Sequence, residues 1–277
     1  MTSQPRTGQA PNLAVDVTIP TAEGGALPAA MALPPGTTDG GLADHGEGGP
    51  ADHGPSGPAV IVLHELLGLN ADIRRICGRF AASGYVALAP DFMHGLGPRP
   101  LCMARFMRGL AKGAEGQPFG RLETARGWLS RRNDVDAERI GVVGFCIGGG
   151  FALLYAAGAE IAAVAPFYAA VPDEAERTLG NVCPVVASYG GRDRVFGGHG
   201  ARLESALTAL DVPHDVKTYP GAGHSFMNRH SGPLGWAARL SPLHAGYHGP
   251  SAEDAWARTL EFLGRHLGSN TQGRERD

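Results

Sequence analysis

One cysteine stands in a sequence context that could make it a nucleophile. The segment Gly144-Phe145-Cys146-Ile147-Gly148 follows an apolar run typical of a strand and precedes a small-residue, apolar run typical of a helix. A reactive residue flanked by glycines at such a turn is the nucleophile-elbow pattern, here with cysteine as the nucleophile. The helix N-terminus would favour both a thiolate and an oxyanion formed beside it. The pattern predicts acyl transfer at Cys146, although a merely buried cysteine in a glycine-rich turn has the same local sequence.

An acid and a base for this cysteine follow it along the chain. Asp193 comes just after the apolar run 184–189, and His224 lies in a glycine-rich segment after the strand-like run 215–219. Open α/β sheets place their sites at the carboxyl ends of their strands, so we expect these side chains to converge there. The order nucleophile, acid, histidine is that of hydrolases with this elbow. The simpler alternatives are an aspartate that closes a turn and a histidine without a partner.

The elements that must position these residues alternate between strand and helix. Strands are predicted at 13–19, 26–33, 59–63, 85–89, 139–144, 162–168, 184–189 and 215–219, and helices at 70–83, 119–132, 147–157, 198–210 and 252–266. This alternation predicts an α/β fold with a mostly parallel sheet and helices on both of its faces.

A single domain is predicted at 12–268, between a disordered leader at 1–11 and a disordered tail at 269–277. Its segment 34–58 is rich in Gly, Pro and Asp and is predicted to be a flexible insertion, because it cannot bury enough apolar surface to offset its ordering entropy. His45 and His53 lie in an imperfect repeat there, for which a solvated loop is favoured over a metal site.

Composition argues against several classes of function. The net charge of −3 gives no indication of nucleic-acid binding, and no apolar run approaches the ~18 residues of a membrane span. The four cysteines lack metal-ligand spacing, and His64-Glu65 does not extend to an HExxH motif because position 68 is Gly68. We therefore expect a cytoplasmic monomer or small homo-oligomer that acts on a small molecule without cofactor or metal.

The motifs around these residues resemble those of the dienelactone hydrolase family, a cysteine-nucleophile branch of the α/β-hydrolases. The resemblance spans roughly residues 13–267 apart from the insertion, and its motifs are HELLGLN at 64–70, APD at 89–91, GFCIGG at 144–149, YGGRD at 189–193 and GAGHSF at 221–226. It implies the catalytic residues Cys146, Asp193 and His224, and hydrolysis of a small ester or lactone through an acyl-enzyme.

The resemblance also assigns roles to the end of an earlier strand. It implies that Glu65 contacts the thiol and takes part in its activation, and that the backbone N–H groups of Leu66 and Ile147 form the oxyanion hole. A carboxylate at the end of a buried strand needs a partner, for which a salt bridge to an arginine is the simpler option.

Two positions depart from the family pattern and leave the physiological substrate open. Gly95 and Asn228 stand where dienelactone hydrolases carry arginines that bind the substrate carboxylate. Arg99, Arg105 or Arg229 could replace them. A non-hydrolytic ligand-binding or redox-responsive protein that uses the elbow thiolate is the alternative from another class of function.

Overall fold

Eight strands form one sheet in the computed structural model, which describes residues 14–22, 24–37, 56–95, 117–229 and 240–268. The strands are β1 Val15–Pro20, β2 Ala26–Ala32, β3 Gly57–Leu63, β4 Val86–Pro90, β5 Val135–Phe145, β6 Ala163–Phe167, β7 Val185–Gly190 and β8 His214–Tyr219. Their order across the sheet is β1-β2-β4-β3-β5-β6-β7-β8. The pairings of β2 with β1 and with β4 are antiparallel, and all the others are parallel.

Helices cover both faces of this sheet. They are α1 Ala71–Ala82, α2 Gln117–Ser130, α3 Ile147–Ala156, α4 Ala175–Thr178, α5 His199–Ala209 and α6 Gly249–His266. The core on one face includes residues of α2, α3 and α5, and the core on the other face includes residues of α1 and α6. Every residue of β4 and β7 is buried, as expected for strands covered on both sides. The predicted architecture, a mostly parallel sheet with helices on both faces, is confirmed.

Local chemistry explains where the elements differ from the predicted ones. The helix predicted at 70–83 begins one residue later because Asn70 caps it: its Oδ1 accepts hydrogen bonds from the N–H groups of Asp72 and Ile73 at 3.0 Å each. The closing helix begins earlier than predicted, at Gly249, with a proline in its first turn. The short α4 was not predicted, because one helical turn gives too little periodicity to detect.

Several predictions concern residues outside the described ranges. These are the leader, the tail, most of the 34–58 insertion, and the candidate side chains His45, His53, Arg99 and Arg105. The predicted domain division therefore stays a prediction. Within the described ranges, no helix is both long and apolar enough to cross a membrane.

The turn between β5 and α3 packs directly against the end of β3. Gly144 is the partner of Leu63 in the parallel pairing of β5 with β3. A β-carbon on Gly144 would lie 2.2 Å from the carbonyl oxygen of Gly148, and one on Gly148 would lie 2.5 Å from that of Leu63. Backbone atoms occupy the space that a side chain would need. Packing therefore requires the glycines on both sides of Cys146.

Gly144→Ala is expected to destabilise the protein, because the new methyl group would overlap the Gly148 carbonyl. Overpacking typically costs ~1–3 kcal/mol of unfolding free energy, and we expect a loss at the upper end of that range. Gly158→Ala is the control, because a β-carbon there meets no atom within 4 Å. Urea unfolding followed by circular dichroism measures both variants. A Gly144→Ala loss within the ~0.5 kcal/mol of ordinary surface substitutions would contradict the packing argument.

Candidate active site

Cys146 is held in a strained backbone conformation at the start of α3. Its φ of 55° and ψ of −116° lie outside the regions that most residues occupy, and such a conformation costs on the order of 1–3 kcal/mol. Its N–H donates to the carbonyl oxygen of Phe167, at the end of β6, over 3.1 Å. The side chain is half-buried at the carboxyl edge of the sheet. It lies beside N–H groups that a first helical turn leaves without intrahelical partners.

His224 and Asp193 meet in the interior at the same edge. Nδ1 of His224 lies 2.6 Å from Oδ2 of Asp193, and both side chains are almost fully buried. The His224 N–H donates to the carbonyl oxygen of Leu243 at 2.8 Å, which fixes the loop. The imidazole packs against the rings of Tyr168 and Phe196, with centroids 4.9 and 5.1 Å away. This packing and the Asp193 contact leave Nε2 as the ring nitrogen available for chemistry.

The second carboxylate oxygen of Asp193 closes a turn. Oδ1 accepts hydrogen bonds from the backbone N–H groups of Val195 at 2.9 Å and Phe196 at 3.0 Å. The sequence offered such a turn as the alternative to a contact with the histidine, and the structure contains both. Because the turn fixes one oxygen, the other is presented to His224 in one orientation.

The ionisation of His224 depends on its two neighbours. Burial by itself lowers the pKa of the ring, but the charge of a Cys146 thiolate and the hydrogen bond to Asp193 outweigh burial and raise this pKa from 6.5 to about 10. Cys146 is thus close enough to act on the ring, although Nε2 has no well-formed hydrogen bond among the described residues. In free enzymes such pairs are often loosely aligned and tighten on substrate binding. These neighbours favour the protonated form of the His224 ring.

Glu65 is buried at the end of β3 and contacts the His224 loop. Its Oε2 accepts a hydrogen bond from Oγ of Ser225 at 3.2 Å, so the carboxylate has a serine hydroxyl as a partner. Burial, followed by the negative charges of Glu65 and Cys146, raises the pKa of Tyr168 well above its usual 10. Glu65 and the Cys146 thiol therefore both lie within electrostatic reach of this phenol. Sequence reasoning assigned no role to Ser225 or Tyr168, although Tyr168 directly follows β6 and its position at a strand end was a usable signal.

Leu66 and Ile147 follow two adjacent strands. Leu66 comes after β3 and Ile147 after β5, and these strands pair in parallel. The carbonyl oxygen of Glu65 accepts the N–H of Gly68 at 2.9 Å, which closes a tight turn around Leu66. Leu66 and Ile147 therefore follow neighbouring strand ends at the nucleophile elbow, where backbone N–H groups could bind an oxyanion.

Asn228 belongs to a buried hydrogen-bond network that sequence reasoning missed. Its Oδ1 accepts a hydrogen bond from the Tyr168 hydroxyl, and its Nδ2 donates to Oδ2 of Asp72 at 3.0 Å. The neighbouring Arg229 points elsewhere: its exposed side chain donates to the Tyr247 hydroxyl at 3.3 Å and lies 4.7 Å from the centre of that ring. Three arginines were candidates for binding a substrate carboxylate. Arg229 is the one that the structure describes, and its side chain is engaged with Tyr247 at the surface.

Cys146 differs from the other described cysteines in its surroundings. Cys77, Cys146 and Cys183 are all free thiols. Burial raises the pKa of Cys77 and of Cys183 to about 12, which keeps both protonated and unreactive near neutral pH. The described part of the chain contains no group of three or more His, Cys, Asp or Glu that could hold a metal ion.

Known proteins similar to this chain point to one family. The model of the dienelactone hydrolase family matches residues 48–267. A protein of Salmonella typhimurium named "Putative carboxymethylenebutenolidase" is 31% identical over 225 residues, which cover 76% of this chain and 77% of that protein. The carboxymethylenebutenolidase of Rhodococcus opacus is 28% identical over 75% of this chain and 81% of its own length. A crystal structure named "Putative Dienelactone Hydrolase", from Klebsiella pneumoniae, has a TM-score of 0.68 and 26% identity over 91% of this chain and 98% of its own. The chain therefore belongs to the dienelactone hydrolase family and is an ester or lactone hydrolase with the α/β-hydrolase fold.

Proposed function

We propose that the protein hydrolyses small carboxylic esters or lactones through a covalent acyl-enzyme on Cys146, with His224 as acid and base and Asp193 as its orienting group. The observation that carries this proposal is the buried contact of 2.6 Å between His224 and Asp193. Against the effect of burial, the Cys146 thiolate and Asp193 raise the pKa of that ring to about 10. An imidazolium held in this way stabilises the thiolate, which is the nucleophilic form of cysteine.

The first half of the reaction transfers the acyl group. Sγ of Cys146 attacks the carbonyl carbon and forms a C–S bond, while an electron pair of the C=O bond moves to the oxygen. The N–H groups of Leu66 and Ile147 bind this oxyanion, and one such donor contributes on the order of 10²–10³ in kcat. As the intermediate collapses, the C–O bond breaks and Nε2 of His224 gives its proton to the leaving alkoxide.

The second half regenerates the enzyme. Neutral His224 takes a proton from water, and the resulting hydroxide attacks the thioester carbonyl. The C–S bond then breaks, the thiolate leaves, and the product is released as a carboxylate and a proton. His224 keeps the proton it took, so the free enzyme returns to the thiolate–imidazolium pair. Esters and lactones suit this cycle better than amides, because an amine leaves poorly without strong protonation.

Glu65 is proposed to take part in activating the thiol. Support comes from its burial and from its hydrogen bond with Ser225, the residue after His224. Further support is that burial, followed by the charges of Glu65 and Cys146, raises the pKa of Tyr168, as expected if both groups act on the same phenol. A carboxylate in that position can accept the thiol proton and pass it on to His224, which holds it in the thiolate–imidazolium pair.

The surroundings of Asn228 favour a substrate without a carboxylate. Both ends of its amide are engaged, by Tyr168 and by Asp72, so the amide has no free donor for a substrate carboxylate. Arg229 is held by Tyr247 at the surface. We therefore propose neutral esters or lactones as the preferred class of substrate.

A cytoplasmic location is also part of the proposal. The unpaired state of Cys77, Cys146 and Cys183 supports a reducing compartment. The state of assembly, a monomer or a small homo-oligomer, stays a prediction.

Replacing Cys146 by alanine should lower ester hydrolysis by at least ~10³-fold, by analogy with the loss of other enzymatic nucleophiles. Cys183→Ala is the matched control, because it removes a thiol that burial keeps protonated, and its activity should stay near that of the wild type. Initial rates with p-nitrophenyl acetate measure both. Near-wild-type hydrolysis by Cys146→Ala would refute the nucleophile assignment and favour a non-hydrolytic role for the elbow thiolate.

The protonation of His224 should depend on the thiolate beside it. Its folded-state pKa of about 10 lies above the 6.5 of an ordinary histidine. The proton therefore stabilises the folded state fully below pH 6.5, and this contribution is lost as the pH rises towards 10. In Cys146→Ser the thiolate is absent, so the pKa of His224 should fall. Histidine-selective NMR titration, with the signal assigned by His224→Gln, measures this change. Identical titration curves for wild type and Cys146→Ser would contradict the proposed ion pair.

Discrimination by substrate charge should be weak. We expect kcat/KM for a carboxylate-bearing lactone to exceed that of its neutral methyl ester by less than ~100-fold, about 2.7 kcal/mol. The reason is that Asn228, unlike an arginine, offers the substrate carboxylate no charge-assisted hydrogen bond. The pair of substrates is compared at low and high salt. A larger preference for the carboxylate that weakens with salt would reveal an arginine clamp elsewhere in the chain.

A further inference from the structure

His64 engages both of its ring nitrogens in the interior, next to the proposed oxyanion hole. The side chain is fully buried, and its ring stacks on Phe92 with centroids 4.5 Å apart. Nδ1 lies 2.8 Å from the carbonyl oxygen of Glu65, and Nε2 lies 3.2 Å from Oδ1 of Asp91. Neither contact takes part in the acyl transfer proposed for Cys146.

The two partners of His64 are both acceptors. The carbonyl oxygen of Glu65 can only accept a hydrogen bond, and so can an ionised Asp91 carboxylate. The ring therefore lies between two acceptors: its Nε2 faces the Asp91 carboxylate, and its Nδ1 faces the backbone carbonyl of Glu65.

That carbonyl belongs to the peptide whose N–H serves the oxyanion hole. Glu65 supplies the C=O and Leu66 the N–H of one planar, trans peptide unit, so fixing the oxygen fixes the direction of the N–H. The same oxygen also accepts the N–H of Gly68 at 2.9 Å. Donors to a carbonyl oxygen polarise its peptide and strengthen the N–H as a donor in turn.

We propose that His64 and Asp91 form a positioning pair that fixes and polarises the Glu65–Leu66 peptide, so that the Leu66 N–H is aimed at the oxyanion. This inference rests on the proposed function, because it requires an oxyanion to form beside Cys146. His64 touches no reacting atom, so its effect is exerted through the peptide alone. A purely structural role, in which the pair only ties the end of β3 to the end of β4, is the competing explanation that the experiment must separate.

The rates of two reactions at Sγ of Cys146 distinguish a positioning role from a structural one. Alkylation of Cys146 by iodoacetamide requires the thiolate but forms no oxyanion. Acylation of Cys146 by p-nitrophenyl acetate requires both. Each reaction is carried out at neutral pH on the full-length protein. The protein is then digested, and mass spectrometry quantifies the modified peptide that contains Cys146. Loss of oxyanion positioning lowers only acylation, whereas disruption of the fold lowers both rates.

His64→Leu removes both hydrogen bonds and should lower acylation at least ~10-fold, which is less than the 10²–10³ of a whole donor, while alkylation stays unchanged. His64→Gln keeps an amide N–H for the Glu65 carbonyl and should recover part of the acylation rate. Asp91→Asn keeps the shape of the partner and removes its charge, and it should also lower acylation selectively. It tests the pair even if the His64 variants fail to fold.

His94→Gln is the matched control. Nδ1 of His94 lies 3.7 Å from the other oxygen of Asp91, and its side chain is exposed. It reaches the same carboxylate from the solvent side without contacting the Glu65 peptide, so both of its rates should equal those of the wild type. Unchanged acylation in His64→Leu and Asp91→Asn, or an equal fall of both rates, would overturn the positioning pair. Absence of any acyl adduct on Cys146 in the wild type would instead overturn the proposed function, and the inference with it.

Discussion

The approach of the β5–α3 turn to the end of β3 sets the distances among the groups at this edge of the sheet. Backbone meets backbone there, and a single methyl group on Gly144 or Gly148 would force the elements apart. The same turn drives Cys146 to a positive φ, which lifts the thiol clear of the strand. Leu66 and Ile147 belong to the segments that follow these two neighbouring strand ends. The strain at Cys146 is thus tolerated because packing on every side determines the turn.

Two histidine–aspartate pairs lie along this edge, and the tasks proposed for them are opposite. In the pair of His224 and Asp193, one carboxylate oxygen is fixed by a turn and the other contacts the ring that is proposed to transfer a proton. In the pair of His64 and Asp91, the ring is enclosed between acceptors and is proposed to hold the Glu65–Leu66 peptide in place. Burial makes both arrangements effective, because charge-assisted hydrogen bonds are strongest where water does not compete.

The sequence predicted the architecture and the positions of the central side chains because both follow from local signals. Alternating patterns define the strands and helices, and strand ends converge at one edge of a parallel sheet, which places Cys146, Asp193 and His224 together. The remaining contacts are not local. Asn228 forms hydrogen bonds with Tyr168, at the end of β6, and with Asp72, at the start of α1. No spacing along the chain predicts these contacts. Side-chain direction is equally hidden: the His64-Glu65 pair has no pattern that tells which acceptors the imidazole reaches.

The network around Asn228 also bears on how substrate range could change during evolution. An arginine introduced at that position would face the Tyr168 hydroxyl and lose the amide contacts to Tyr168 and Asp72, and it would compete with Arg75 for the Asp72 carboxylate. Its benefit would depend on prior changes at two sites distant in sequence, each of little advantage alone. Such sign-dependent coupling, or epistasis, would make the side chain at position 228 hard to exchange one substitution at a time.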